Sequence, residues 1–580
     1  MLGECLEVFR ERLEAEHEDL ILNSYIPADG TYIFVDQSGE MGNPMNIKMD
    51  KKTRTIERDH VYFKEFCFYD YYSQLISMNK PVDSGKIVHS NNLESFWVKK
   101  DSVVNGKLTE GGIDRYYDTL LNPEKKYEKS KEAAKIYTVI KEDIGEVDAE
   151  RLERNREWVK GHIFQMEQVC DMTKKDYLKI FFLTEKEVLV REAKRYILPN
   201  IYNSNDYNVE KEGKIYGLPD NNLGMNAKKP FLSVKTRKCP ASYLLDGDEA
   251  MVQKQFFDYL MNFAAAGRYN IYVDMEEKKF IPCKNDEFPS QAVSGFFLRI
   301  QKGKEVEIHG QDVIPYYQNE LPKGEYFEYS NIVGADHDLH KEYLRQYKTY
   351  RKREDIEQLI DEIFFSKMLR NNYFTEAEKL GLNDGYLKQN ILISREAVFD
   401  WIHKGIAGGF EPVIKKISLE LVKGSLSDGY REKAARQMNL RWSLIQYLDK
   451  GGKNMASILG EMRGKLREKI NAKETMELEN DKEYYFAVGQ MADYLISLNK
   501  TSKKKSSLIN PFLNAGTDEM LKERLTQYYK KYNYNIDYGS KRVNNLLSMI
   551  KGYEPDSKVD QDMIMMGFTC SSLIYEKGEK

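Results

Sequence analysis

The sequence predicts an α+β protein in two parts: an irregular mixed α/β N-terminal domain over residues 1–335, followed by an all-α helical-bundle C-terminal domain over 336–580. Three observations predict it. Twelve of the fifteen prolines lie at or before Pro322, leaving only Pro412, Pro511 and Pro555 for the remainder. Short β-rich runs alternate with helical stretches in the first part. After about Asp336 the apolar residues fall at helical spacing. At 580 residues the chain exceeds what one hydrophobic core organises, so more than one domain is expected.

Taken in order, residues 1–20 (MLGECLEVFRERLEAEHEDL) form an amphipathic, acid-rich helix rather than a basic region followed by an apolar one, so no signal peptide is predicted. No apolar run is long enough to span a bilayer, and the expected address is the cytoplasm. Strands are predicted at Thr31–Val35 (TYIFV), Tyr269–Val273 (YNIYV) and Phe296–Ile300 (FFLRI), with helical stretches around Glu153–Phe164 and Gln253–Phe263. In the second part Ile356, Leu359, Ile360, Ile363 and Phe364 recur at a period of 3.6, as do Tyr485, Val488, Ala492 and Leu495. Loops between packed helices are expected at Gly405–Pro412 and Lys500–Asn510.

Composition is that of a globular protein: 41% hydrophobic, 31% charged and 12% aromatic, with forty tyrosines. Net charge is −4, which excludes a field basic enough to coat nucleic acid unaided, so contact with a polyanion must come from local patches. Cys5, Cys67, Cys170, Cys239, Cys283 and Cys570 are scattered without a C-x-x-C pair, and read as reduced, mostly buried thiols.

The stretch Lys194–Lys238 is the most informative. Asn200, Asn203, Asn205, Asn208, Asn221, Asn222 and Asn226 crowd into a region punctuated by glycine and proline, a loop rather than a core segment. Carboxamides both donate and accept hydrogen bonds, which suits base edges, while Lys228, Lys229, Lys235, Arg237 and Lys238 supply charge for phosphates. Gly217 and Gly224 would let backbone approach a ligand closely. The alternative is that the asparagines satisfy their own turns.

A second feature is a helix predicted around Leu339–Arg353, where Lys341, Arg345, Lys348 and Lys352 share one face and Tyr343, Tyr347 and Tyr350 the neighbouring one. Such a helix lays cations along a phosphate backbone while its tyrosines pack or stack; a solvated basic face is the alternative. Further clusters occur at Arg431, Lys433, Arg436 and Arg441, at Arg463, Lys465, Arg467 and Lys469, and at Lys503, Lys504 and Lys505. Their concentration suggests a polyanion running past the helical part.

Phosphate-loop, nucleophile-elbow, zinc-protease and kinase motifs are missing from the sequence. His337 and His340 lack a third ligand at useful spacing, and Gly405, Gly408 and Gly409 do not follow an evident strand. No catalytic residue, metal or cofactor is expected.

Several stretches together resemble one known family: FKEFCFYDYYSQLISMNKPVD (Phe63–Asp83) with IVHSNN after it, NIYNSNDYN with IYGLPDNNLGMNAKKPFLSVKTRK, YYFAVGQMADYLISLNKTSKKKSSLINPFL, KRVNNLLSMIKGYEP, and MIMMGFTCSSLIYEKGE. They spread from residue 63 to 579. The chain thus resembles the large subunit of a type I-B CRISPR effector complex (Cascade), the Cas-eight b-type or Csh-type family. The resemblance implies a non-enzymatic subunit beside the 5′ handle of a crRNA, contacting the backbone and foot subunits. Its N-terminal domain would recognise the protospacer-adjacent motif in target double-stranded DNA, with Asn221, Asn222 and Asn226 toward base edges and Lys228 and Lys229 on phosphates; target sequence is left to base pairing. Its helical domain would contact the opened strands, and a separate helicase-nuclease would be recruited after the R-loop forms. A small subunit made from the same gene, starting at Met455 or Met462, is also implied. The competing expectations are a nuclease whose motif is not evident, and a structural adaptor that binds only proteins.

Overall fold

The computed structural model describes residues 1–128, 130–203, 205, 208–220, 243–303, 305–333, 349–449, 455–499 and 506–576. The chain divides into two compact units, Met1–Lys284 with Ser294–Val313, and Asn285–Val293 with Ile314–Lys580. The first is mixed α/β and the second a helical bundle. The expected boundary between residues 335 and 336 lies outside the described residues.

In the first unit the predicted run TYIFV makes up all but the first residue of a strand, Gly30–Val35, buried along its whole length. It pairs parallel with Tyr177–Phe182 and antiparallel with Met45–Ile47, and Ser95–Lys99 closes the other edge of this four-stranded sheet. A strand buried on both faces needs no polar alternation. Its two faces nonetheless serve separate cores. Tyr32, Phe34 and Phe181 meet the helices Leu2–Glu16, Phe63–Tyr72 and Gly247–Ala265. Ile33, Val35, Phe96, Leu178 and Ile180 meet the helices Glu110–Leu121, Ala149–His162 and Lys186–Asn200. Aromatic residues lock the first layer, with Phe34 stacked on Phe66 at 4.0 Å. Asn270–Asp274 and Val293–Lys302, the other two predicted strands, pair antiparallel in a second sheet.

In the second unit the helix Asp481–Ser497 is the axis of the bundle. The 3.6-residue pattern read from Tyr485, Val488, Ala492 and Leu495 marks one face, but every residue from Glu483 to Ile496 is buried. The helices Phe410–Ser427, Arg431–Leu448, Met455–Asn471, Asp518–Tyr532, Lys541–Gly552 and Gln561–Thr569 contribute to the same core. Ile356, Leu359, Ile360, Ile363 and Phe364 are all buried on the helical segment predicted for them, Arg353–Leu359 continued as a π-helical turn Ile360–Phe364. The loop expected at 405–412 is shorter than predicted, because Phe410 already begins a helix and Pro412 occupies its first turn, where a missing N–H costs nothing.

The helix expected over Leu339–Arg353 is corrected at its C-terminal end. Thr349–Tyr350 is a strand paired antiparallel with Phe327–Glu328, and Lys352 is extended, with φ −116° and ψ 141°. Tertiary pairing outweighs helical periodicity here: the N–H of Leu321 donates to the Arg351 carbonyl at 2.7 Å and that of Arg353 to the Asn319 carbonyl at 2.8 Å. Residues 334–348 lie outside the described residues. Among the described residues no helix is long and apolar enough to cross a membrane; Cys5, Cys67 and Cys570 are buried free thiols, and Cys283 is buried.

Candidate nucleic-acid interface

The asparagine-rich stretch does not begin as a loop. Lys194–Asn200 is the last two turns of the helix Lys186–Asn200, and Asn200 is buried, its amide donating to the Tyr127 hydroxyl at 2.8 Å and the Tyr196 carbonyl at 2.7 Å. The described residues that flank 221–242 are bonded to one another. Gly217 and Leu245 exchange two backbone hydrogen bonds of 2.9 Å, Asn203 N–H donates to the Leu218 carbonyl at 2.7 Å, and Asp220 N–H to the Ile201 carbonyl at 2.8 Å. Gly217–Asp220 and Leu245, on either side of residues outside the described set, are therefore held together in the first unit.

Gly217 is required there for a reason other than the one its sequence suggests. A Cβ at this position would collide with the Tyr202 ring and the Asn208 carboxamide, so the close approach it permits is to its own chain.

Lys80 ties the base together. Its ammonium donates to the Asn200 carbonyl and the Asp220 carboxylate at 2.7 Å each, and to the Tyr202 carbonyl. Tyr196 in turn donates to the Lys80 carbonyl at 2.7 Å. Next to it Lys126 donates to the Pro81 carbonyl at 2.7 Å and lies 5.0 Å from the Tyr196 ring centre. Burial, then the neighbouring Lys80 charge, pushes the Lys126 ammonium down to about 8. Between that value and the ordinary 10.5 the unfolded chain holds a proton that the folded one has released, so this group's contribution to stability rises with pH across that window. The stability difference, wild type minus Lys126→Met, is expected to increase between pH 8 and pH 10; thermal unfolding of both proteins at the two pH values checks it. A constant difference would show that Lys126 keeps an ordinary affinity for its proton.

Of the residues expected to touch nucleic acid, Asn203, Asn205 and Lys352 are described. Asn205 donates to the Ser130 hydroxyl at 3.5 Å and accepts from the Asn208 amide at 3.1 Å, so both side chains are engaged locally. Lys352 is half exposed, 3.3 Å from Glu354. Asn221, Asn222, Asn226, Lys228, Lys229, Lys235, Arg237, Lys238, Lys341, Arg345, Lys348, Lys503, Lys504 and Lys505 lie outside the described residues, as do His337 and His340.

Two of the three further basic clusters hold the bundle together. Arg441 is buried and doubly bonded to Asp562 at 2.8 and 3.0 Å, and Arg431 pairs with Asp493 at 2.7 Å. Arg463 and Arg467 converge on Glu576, Lys465 pairs with Glu479, and Lys469 is sealed against Glu483 at 2.8 Å. An open cleft of about 1140 Å³ beside them is lined by seven carboxylates against three lysines, a potential that repels a polyanion.

Sequence reasoning missed an exposed basic arm in the first unit. Lys48, Lys51 and Lys52 are exposed, as are Val61 (82%) and Tyr62 (53%) farther along the same segment, whereas Arg58 is drawn back to the Tyr25 carbonyl at 2.7 Å. The signal lies in the run KMDKKTR, four cations against one carboxylate.

A histidine–carboxylate pair of the kind used in acid–base chemistry does occur, His403 Nε2 lying 2.8 Å from Glu357, but both residues are fully buried and the His403 ring is stacked between Phe288 and Phe399. A substrate has no route to it. Among the described residues no three His, Cys, Asp or Glu side chains are grouped so as to hold a metal ion. No family model, curated protein or solved structure matches the chain.

Proposed function

We propose that the chain is the non-catalytic large subunit of a type I-B CRISPR effector complex, recognising the protospacer-adjacent motif in double-stranded DNA and stabilising the R-loop. The observation that carries this reading is the pinned base at Lys80, Gly217, Asp220 and Leu245, which presents a segment rich in Asn and Lys from one point of the mixed α/β unit. The sequence stretches spread from residue 63 to 579 add the assembly: a crRNA, backbone and foot subunits, a helicase-nuclease recruited once the R-loop has formed, and a cytoplasmic location. An internal start at Met455 would begin at the first residue of the helix Met455–Asn471, whereas one at Met462 would remove its first two turns.

A protein-only adaptor is the second reading, favoured by the ion pairs that occupy Arg431, Arg441, Arg463 and Lys469. Purification of the tagged chain with its genomic neighbours expressed separates the two. The proposal expects repeat-derived RNAs of uniform length with a set of backbone subunits; protein partners without RNA would favour the adaptor. In the assembled complex, replacing Asn221, Asn222 and Asn226 with alanine is expected to reduce discrimination between motif and non-motif DNA about tenfold, within the ~1–3 kcal/mol of one good base contact. Replacing Lys341, Arg345, Lys348 and Lys352 should instead weaken all DNA alike and flatten the salt dependence. Identical behaviour of the two sets would overturn the division between readout and positioning.

A further inference from the structure

We infer that the turn joining the helices Asp518–Tyr532 and Lys541–Gly552 is a stacking platform for single-stranded nucleic acid, with Tyr534 and Tyr538 as the rings and Lys530, Lys531 and Lys541 as the phosphate contacts. It rests on the reading that the chain acts on nucleic acid, but not on the identity of the assembly.

The turn alternates. Tyr532 and Ile536 are buried and anchor it to the bundle core, while Tyr534 and Tyr538 between and after them are 69% and 60% exposed. Single exposed apolar side chains are ordinary on any surface. Two tyrosines four residues apart, held outward by buried neighbours on a loop fixed at both ends, are a different arrangement.

The charges stay exposed and outside ion pairs among the described residues, although the Lys531 ammonium also lies over the Tyr532 and Tyr528 rings, 5.3 and 5.9 Å from their centres. Among the described residues no carboxylate pairs with Lys530, Lys531 or Lys541, in contrast to the consumed clusters described above. The acid within the turn, Asp537, is spent on its own backbone, accepting the Gly539 N–H at 3.0 Å. Lys530 and Lys531 in the last turn of one helix complement its dipole, but Lys541 in the first turn of the next opposes that helix's dipole, so local helix stability does not account for it.

Lysine is depleted at protein–protein interfaces, whereas cations beside exposed rings are what unstacked bases and their phosphates require. Bases in a duplex are stacked and unavailable to such rings, which is why the ligand is a single strand.

The test uses the full chain and a fluorescein-labelled oligothymidylate, followed by anisotropy, with a duplex of equal length beside it. Tyr534→Ala with Tyr538→Ala is expected to weaken single-strand binding about tenfold or more, given ~1–3 kcal/mol per stacked base, and to leave duplex binding unchanged. Tyr534→Phe with Tyr538→Phe, which keeps the rings, should restore it. Lys530→Ala, Lys531→Ala and Lys541→Ala together should lower the salt slope. Unaltered binding by the alanine pair, equal losses on single strand and duplex, or no binding by the wild-type chain each overturns the platform. A chain that binds the oligonucleotide through these tyrosines yet recovers no repeat-derived RNA would overturn the assembly and keep the platform.

Discussion

Gly567→Ala is expected to destabilise the helical unit by about 2 kcal/mol or more, although alanine is the better helix former. The helices Asp481–Ser497 and Gln561–Thr569 cross with their backbones in contact: a Cβ on Gly567 would be driven into the Phe486 carbonyl oxygen, and one on Gly489 into that of Ile564. Two opposing terms decide the sign. Helix propensity favours alanine by about 1 kcal/mol. Overpacking costs about 1–3 kcal/mol, and its upper end applies because the obstacle is a carbonyl in the partner helix, which cannot rotate away as a side chain would. Separating the helices would also strain the bonds that Gln490 makes to the Gly567 carbonyl and, at 2.8 Å, from the Leu573 N–H. Gly464 supplies the contrast, since nothing lies within 4 Å of a Cβ there, so Gly464→Ala should gain what Gly567→Ala cannot. Hydrogen exchange of the Tyr484–Ile496 amides reads both: protection falls in the first variant and holds or rises in the second. Equal protection would mean that the glycines do not set the crossing.

That crossing was not legible in the sequence, and the reason is general to this chain. Local patterns found local structure. The runs TYIFV, YNIYV and FFLRI became strands because aromatic and β-branched residues suit a buried sheet, and the spacing of Ile356 to Phe364 became a buried helical stripe. What failed depended on partners far along the chain. Thr349 and Tyr350 left the helical pattern for a strand that pairs with Phe327 and Glu328. Arg463 looked like a surface cation, but its acceptor is Glu576, 113 residues away.

The candidate interface divides the same way. Its chemistry, carboxamides and lysines between glycines, is written locally and was read from residue types alone. Its geometry is not: Lys80 closes the base from 140 residues upstream of Asp220, and no spacing within 194–238 reveals that. Asn200, Asn205 and Asn208 serve their own helix end and turn. Their partners Tyr127 and Ser130 lie more than seventy residues away along the chain, where residue type alone does not reveal them.

Asp70→Ala is expected to cost about 3–5 kcal/mol, the range for removing one partner of a buried ion pair. Asp70 and Lys179 are 1% and 2% exposed and bonded to each other, with the Tyr25 hydroxyl donating to Asp70 at 2.6 Å. Without Asp70 the ammonium is left against aromatic faces, those of its cross-strand neighbours Trp97 at 3.7 Å and Tyr32 at 5.0 Å and, on its own strand, of Tyr177 at 5.6 Å. A buried pair need not be a net stabiliser, and replacing both members with apolar residues is often neutral. Asp70→Leu with Lys179→Met should therefore recover most of the loss in a denaturant titration. What the double variant gives up is register. A slip of one residue in Tyr177–Phe182 would turn Lys179 to the opposite face and leave Asp70 unpaired, a penalty absent when both are apolar. The strand leads directly into the helix Lys186–Asn200, whose end forms the base of the asparagine loop, so its register sets where that loop is presented. A double variant as stable as wild type but poorer at discriminating motif from non-motif DNA would assign the pair to positioning. One as unstable as Asp70→Ala would make the pair a net contributor to stability in its own right.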